Sequence, residues 1–193
     1  MATYAVVDFE TTGLSPSEGA CATEIGIVLV RDGQIAERYH SLMNGGVRLS
    51  SFIEDYTGIT NAMVRKAPPL MAVMAQACAF VGAHPLVAHN ASFDRKFWDE
   101  GLRRIGARRQ QDMLCSVRLS RRVFADMTDH KLGTMVKTLK LPMSGYFHRA
   151  LADAEATAHL FIRLQAEIVA KLKVAEVTHK HMLTVQKQKI GTF

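Results

Sequence analysis

The chain has 193 residues, 48% of them hydrophobic and 22% charged, with a formal net charge of +6. That balance suits a single globular domain with enough length to bury a core, and its sign favours anionic partners such as nucleic acid. Cys21, Cys78 and Cys115 are odd in number and scattered without paired metal-type spacing, as expected of reduced core residues in a cytoplasmic protein.

Tyr4–Phe9 reads as a first strand that follows Met1 too closely to leave room for a signal peptide. Strand-like runs at Glu24–Arg31 and Gln34–Met43 flank Asp32-Gly33, a hairpin signal. Ser50 or Ser51 can cap a short helix ending near Gly58, and Thr60 another through Val64. Pro68-Pro69 opens a longer helix to about Gly82 with Leu70, Met74, Ala77 and Val81 on one stripe. The apolar window from 70 to 88 is broken by Gln76, His84 and Pro85, so a core helix and a strand at Leu86–Ala88 are expected, not a membrane span. A helix at Ser92–Ile105, a strand at Asp112–Cys115, helices at Val117–Phe124 and Leu132–Lys140, and a long helix at Ala150–Lys173 follow. This order predicts an α/β fold with a mixed sheet covered by helices. No internal repeat or low-complexity block points to a second folded domain, and 174–193 reads as a basic extension, either a tail fraying from the last helix or a helical or flexible binding segment.

Three clusters carry the chemistry. In Val6-Val7-Asp8-Phe9-Glu10-Thr11-Thr12-Gly13-Leu14, side chains alternate across the strand, so Asp8 and Glu10 share a face and Phe9 takes the other. Two carboxylates on one face of an apolar strand call for a cation, and hard oxygen ligands suit Mg2+ or Mn2+. A strand end whose acids are solvated or paired with arginine fits the same residues. His89-Asn90-Ala91-Ser92-Phe93-Asp94 lies at a strand-to-helix junction, where ligand sites collect. There Asn90 or Ser92 would cap the helix and Asp94 would suit its positive end. In His148-Arg149-Ala150-Leu151-Ala152-Asp153, the acid is in line with Ala156, Leu160 and Leu164, an inward stripe. It is either a buried acid paired with Arg149 or part of a site whose general base is His148, placed on a loop after Gly145.

Taken in order, these clusters resemble the three motifs of the DEDD-superfamily exonucleases of the histidine subgroup, such as the proofreading epsilon subunits of bacterial DNA polymerase III and their stand-alone relatives. Thr57-Gly58-Ile59-Thr60 resembles the family segment between the first two motifs, and the match runs from Thr3 to Lys171. The resemblance implies a ribonuclease-H-like mixed five-stranded sheet flanked by helices, with an exonuclease domain over 1–173. It implies hydrolysis at DNA 3′ ends, single-stranded or frayed, releasing nucleoside 5′-monophosphates in proofreading or repair. It further implies two Mg2+ or Mn2+ ions ~3.5–4 Å apart, Asp8 bridging them, Glu10 and Asp153 completing one site, and Asp94 bound directly or through water. His148 would take the proton of the attacking water. Thr11 and Thr12 would meet the terminal nucleotide, Leu14 and Ile59 pack on its base, and Asn90 hold the Asp94 loop or touch substrate. Turn geometry and core packing are the alternative for the threonines, Leu14 and Ile59, and for Ile59 the two readings stand about equal. Arginines at 103–104, 108–109, 118 and 121–122 supply charge for a phosphate backbone or a solvated surface.

Relatives with the same five residues trim RNA 3′ ends, so an exoribonuclease is an alternative. So is a polymerase-associated nucleic-acid-binding subunit that uses the fold as a scaffold. The extension, ending Gln188-Lys189-Ile190-Gly191-Thr192-Phe193, would carry any contact with a polymerase or clamp.

Overall fold

The computed structural model describes residues 2–145 and 147–193. Tyr146, on the approach to His148, therefore lies outside the described residues. Strands β1 (Tyr4–Thr11), β2 (Ala22–Arg31), β3 (Gln34–Leu42), β4 (Leu86–Ala88) and β5 (Met113–Cys115) make one five-stranded sheet in the order β3-β2-β1-β4-β5. β1–β2 and β2–β3 are antiparallel, whereas β4 and β5 continue parallel from β1. The sheet is mixed and flanked by helices, as expected of the α/β class. Asp32 and Gly33 both have positive φ, 51° and 74°, the two-residue turn geometry that follows strand twist and joins β2 to β3.

Among the described residues, eight α-helices accompany the sheet: α1 (Ser51–Thr57), α2 (Asn61–Lys66), α3 (Leu70–Val81), α4 (Ala91–Arg104), α5 (Ser116–Val123), α6 (Leu132–Leu139), α7 (Ala150–Leu172) and α8 (His179–Val185). Ser50 caps α1 and Gly58 ends it at φ 69°, while Thr60 caps α2 through the Met63 amide. The stripe Leu70, Met74, Ala77 and Val81 of α3 is buried, with Val73 beside it.

β1 is central, and its alternation divides the core. Ala5, Val7 and Phe9 pack with α3 and α4 residues such as Val73, Phe97 and Trp98. Tyr4 and Val6 face the other way, onto Leu119 of α5, Phe161 and Leu164 of α7, and Met182 of α8. Asp8 and Glu10 continue this second face, so the strand points its carboxylates toward the layer that holds α7.

The extension does not fray. Thr178 caps α8, and Val177, Met182 and Val185 join the same core as α5 and α7. Gln186 Oε1 accepts the Cys115 backbone N–H at 3.1 Å, and Arg122 Nε donates to the Gln188 carbonyl at 2.9 Å. Phe193 packs against this core, with Lys171 over its ring. The weak apolar pattern after Val174 understated the packing because only a few large residues carry it. Among the described residues, no helix is long and apolar enough to cross a membrane.

Candidate active site

The first cluster lies at the carboxyl end of β1, beside the end of its parallel neighbour β4, the edge where α/β sheets collect ligands. Asp8 is paired in register with Gly26 of β2, and Glu10 with Glu24. A Cβ on Gly26 would lie 2.4 Å from the Ala150 carbonyl carbon and oxygen and from the Leu151 nitrogen. Only glycine lets the start of α7 rest this closely on β2, and that contact carries Asp153 to the acids of β1. Alanines 150, 152, 154, 156 and 158 keep this part of α7 slim, and all are buried.

Asp8, Glu10 and Asp153 thereby place one carboxylate oxygen each within 4.8 Å of one another. Burial and then the Asp94, Asp153, Glu10 and Glu24 carboxylates push Asp8 well above its ordinary pKa. Burial, then Asp153, Glu24 and Asp94, raise Glu10 to about 8, against a smaller opposing pull from Arg149. Burial also raises Asp153, whose Oδ2 accepts the His148 backbone N–H at 3.0 Å while its buried Oδ1 has no hydrogen-bond partner among the described residues. Mutually repelling carboxylates with an unpaired buried oxygen fit a divalent cation, which would favour their charged forms.

Asp94 reaches the same edge from the opposite layer, in the first turn of α4, and is 2% exposed. Burial raises its pKa to about 8, against a smaller opposing pull from the backbone N–H groups of Asp94 itself and Phe9. It lies outside the tight group of three but repels Asp8. Asn90 begins α4 with left-handed backbone, φ 66°, and neither it nor Ser92 caps the helix by a side chain. Instead Ser92 Oγ donates to Asn90 Oδ1 at 3.1 Å, and the exposed Asn90 borders a cleft of about 760 Å³ shared with Arg121, His130 and Lys131.

His148 also has positive φ, 65°, a costly conformation for a residue with a Cβ. Its ring lies against Tyr56 of α1, centroids 3.9 Å apart. Arg149 does not pair with Asp153. Its Nη2 donates to Glu24 Oε1 at 2.7 Å, and Glu24 Oε2 accepts the Ala150 N–H at 2.9 Å. Burial alone would raise Glu24, but hydrogen bonds from His40, Arg149 and Ala150 outweigh it and bring the group down to about 2.

The expected substrate contacts divide. Leu14 is 76% exposed, free to meet a base. Ile59 is fully buried with Leu49 and Val64, which corrects its expected place against the terminal base; its side chain fills a small core under α1 and α2. The Thr11 hydroxyl donates to the Gly13 carbonyl at 2.7 Å and the Thr12 hydroxyl accepts the Cys21 N–H at 2.9 Å. Both hydroxyls thus shape the turn after β1. Glu24, Gly26 and Tyr56 were missed by motif. The signal for the first was present in Glu24-Ile25-Gly26, an acid inside an apolar strand like those of β1.

Known proteins share this chain's sequence pattern and fold. The RNase T exonuclease family matches residues 5–161. The PolC-type DNA polymerase III of Bacillus cereus is 36% identical over 170 residues, 88% of this chain but 12% of that protein. The 3′-5′ exonuclease DinG of Bacillus subtilis is 36% identical over 171 residues, 88% of this chain and 18% of DinG. The chain therefore spans less than a fifth of these curated relatives. Exonuclease X, solved in complex with 5′ overhanging duplex DNA, superposes with a TM-score of 0.75 at 27% identity, covering 95% of this chain and 99% of that one. The nuclease domain of 3′hExo, a DEDDh family member bound to rAMP, shares the fold at a TM-score of 0.72 and 20% identity, covering 86% and 92%. The chain belongs to the RNase T exonuclease family.

Proposed function

We propose that this chain is a metal-dependent 3′–5′ exonuclease that removes nucleotides from single-stranded or frayed DNA 3′ ends. The observation that carries the reading is the convergence of Asp8, Glu10 and Asp153 within 4.8 Å from two separate elements, with Asp94 buried beside them. The names of its 36% identical relatives, a DNA polymerase III and a 3′-5′ exonuclease, support DNA as the substrate, and so does the DNA in the Exonuclease X complex. The DNA polymerase III relative supports a role in proofreading or repair beside a polymerase, in the cytoplasm, with any polymerase or clamp contact carried by residues 174–193.

Asp8, Glu10 and Asp153 would hold Mg2+ or Mn2+, with Asp94 contributing directly or through water. Bound there, two such ions would supply activation of the attacking water and offset charge on the leaving oxygen. His148 accepts the proton of the attacking water. The new bond joins that oxygen to phosphorus, the P–O3′ bond breaks, and the shortened strand leaves with a 3′ hydroxyl and a nucleoside 5′-monophosphate. Asp153 Oδ2, holding the His148 amide, keeps this loop against the acids. Leu14 meets the terminal base, Thr11 and Thr12 shape the turn beneath it, and Asn90 with Arg121 and Lys131 lines the approach for phosphates.

The test is a side-by-side assay of the purified chain in Mg2+ on end-labelled single-stranded DNA, mismatched duplex and RNA. Stepwise release of 5′-monophosphates from DNA is expected, with none from Asp8→Asn. His148→Ala should lose activity while still binding Mn2+. Undiminished hydrolysis by Asp8→Asn sinks the site assignment, and faster trimming of RNA replaces the DNA reading with the exoribonuclease one.

A further inference from the structure

Helix α1 turns two aromatic rings outward, Phe52 at 70% exposure and Tyr56 at 52%. Four residues apart on one face, they are nearly parallel, 10° between planes and 5.9 Å between centroids. Tyr56 in turn lies 3.9 Å from the His148 ring. Three rings thus run as a ladder from open surface to the edge of the acid cluster. The His148 backbone N–H in turn donates to Asp153 Oδ2 at 3.0 Å, which sets the ladder at the mouth of the site.

Core packing does not account for these rings. α1 is anchored by Ile53, which packs on Leu49, Ile59 and Val64, and by the buried Thr57. Phe52 adds exposed apolar surface without filling that core, and exposed apolar surface joined to a functional cleft marks a binding face. Unpaired nucleobases are the occupant that fits. They present flat π faces, stacking on aromatic side chains tolerates any base, and a strand entering the acid cluster brings its last bases past this rim. The chain's +6 charge suits the same polyanion.

We propose that Phe52 and Tyr56 form a stacking platform for the unpaired bases next to the 3′ end being hydrolysed. The proposal rests on the exonuclease reading and adds to it the source of preference for frayed ends, because a base still stacked in a duplex cannot occupy the ladder.

Binding is read by fluorescence anisotropy in Ca2+, with a labelled single-stranded DNA oligonucleotide carrying either intact bases or one abasic residue stepped back from the 3′ end. For the wild-type protein, one or two abasic positions should weaken binding roughly tenfold, the scale of one base–aromatic stack. Phe52→Ala and Tyr56→Ala should each weaken binding of the intact strand by roughly the same factor and lose little more with the abasic strand. Phe52→Leu, which keeps apolar volume without a ring, should behave as Phe52→Ala. Phe52 is exposed, so its variants retain the fold, which thermal melting verifies. Wild-type affinity in Phe52→Ala or Phe52→Leu, or losses that simply add to those of the abasic sites, overturns the platform while Mg2+-dependent hydrolysis leaves the exonuclease reading intact. A wild-type protein that neither binds nor hydrolyses DNA or RNA overturns both.

Discussion

The Glu24 carboxylate, buried in β2, caps α7 by accepting the Ala150 N–H at 2.9 Å and at the same time holds the Arg149 guanidinium at 2.7 Å. A strand thus supplies the cap that the α7 sequence lacks, since Arg149 at its start gives no side-chain cap. Three residues further on is Asp153, so the anchor fixes both the helix and the acid.

Glu24→Ala would strand the Ala150 N–H, Arg149 and His40 around an empty buried position. A loss of about 3 kcal/mol is expected, the scale for removing one partner of a buried ion pair, measured by urea denaturation. Affinity for Mn2+ should fall with it, because Asp153 loses its support. A variant as stable as the parent would show that α7 is held by its apolar face alone.

Gly26→Ala tests the close approach directly. The added methyl meets backbone atoms of Ala150 and Leu151 at 2.4 Å, which no rotamer change relieves. Overpacking of this kind costs about 1–3 kcal/mol. Activity should fall further than this loss of stability explains, since α7 moves Asp153 away from Asp8. Calorimetric Mn2+ titration beside a thermal melt separates the two effects, and unchanged metal affinity would refute the positioning argument.

Acid–base linkage gives two opposite edges. Glu10 is raised from 4.5 to about 8 in the fold, so the metal-free protein binds protons that the unfolded chain has released between these values. Its contribution is complete below pH 4.5 and lost as pH rises through 8. Asp8, Asp94 and Asp153 shift in the same direction. Glu24 is lowered from 4.5 to about 2, so its contribution is present above pH 4.5 and lost as pH falls through 2. The Tm of the metal-free protein should therefore decline toward pH 8, and Mg2+ or Mn2+ should raise it more there than near pH 4.5. Equal metal-induced shifts at both ends would count against a cation held by these acids.

Met182 of α8 is fully buried against the core shared by α5 and α7. Met182→Ala should cost about 2–5 kcal/mol, read as a lowered denaturation midpoint. A surface-like change below about 0.5 kcal/mol would restore the picture of a loose tail.

Local chemistry made the elements legible. Alternation marked β1, Asp32-Gly33 marked the hairpin, Ser50 and Thr60 marked two helix starts, and the Ala156–Leu160–Leu164 stripe turned Asp153 inward. The same local logic left alternatives open where a partner came from afar. Neither Asn90 nor Ser92 gives the side-chain cap either could have made, Arg149, one possible partner of Asp153, pairs with Glu24, and Ile59, as suited to a core as to a base, fills a core.

By itself the sequence determined the set of acids, the histidine and the periodicities that assign each to a strand end or a helix start, because those depend on residue type and spacing along the chain. Only the tertiary structure decided that Gly26 lets α7 lie on β2, that Glu24 caps it, and that Asp8, Glu10 and Asp153 meet within 4.8 Å. Such distances are set by the close packing of elements more than a hundred residues apart, which no local pattern encodes.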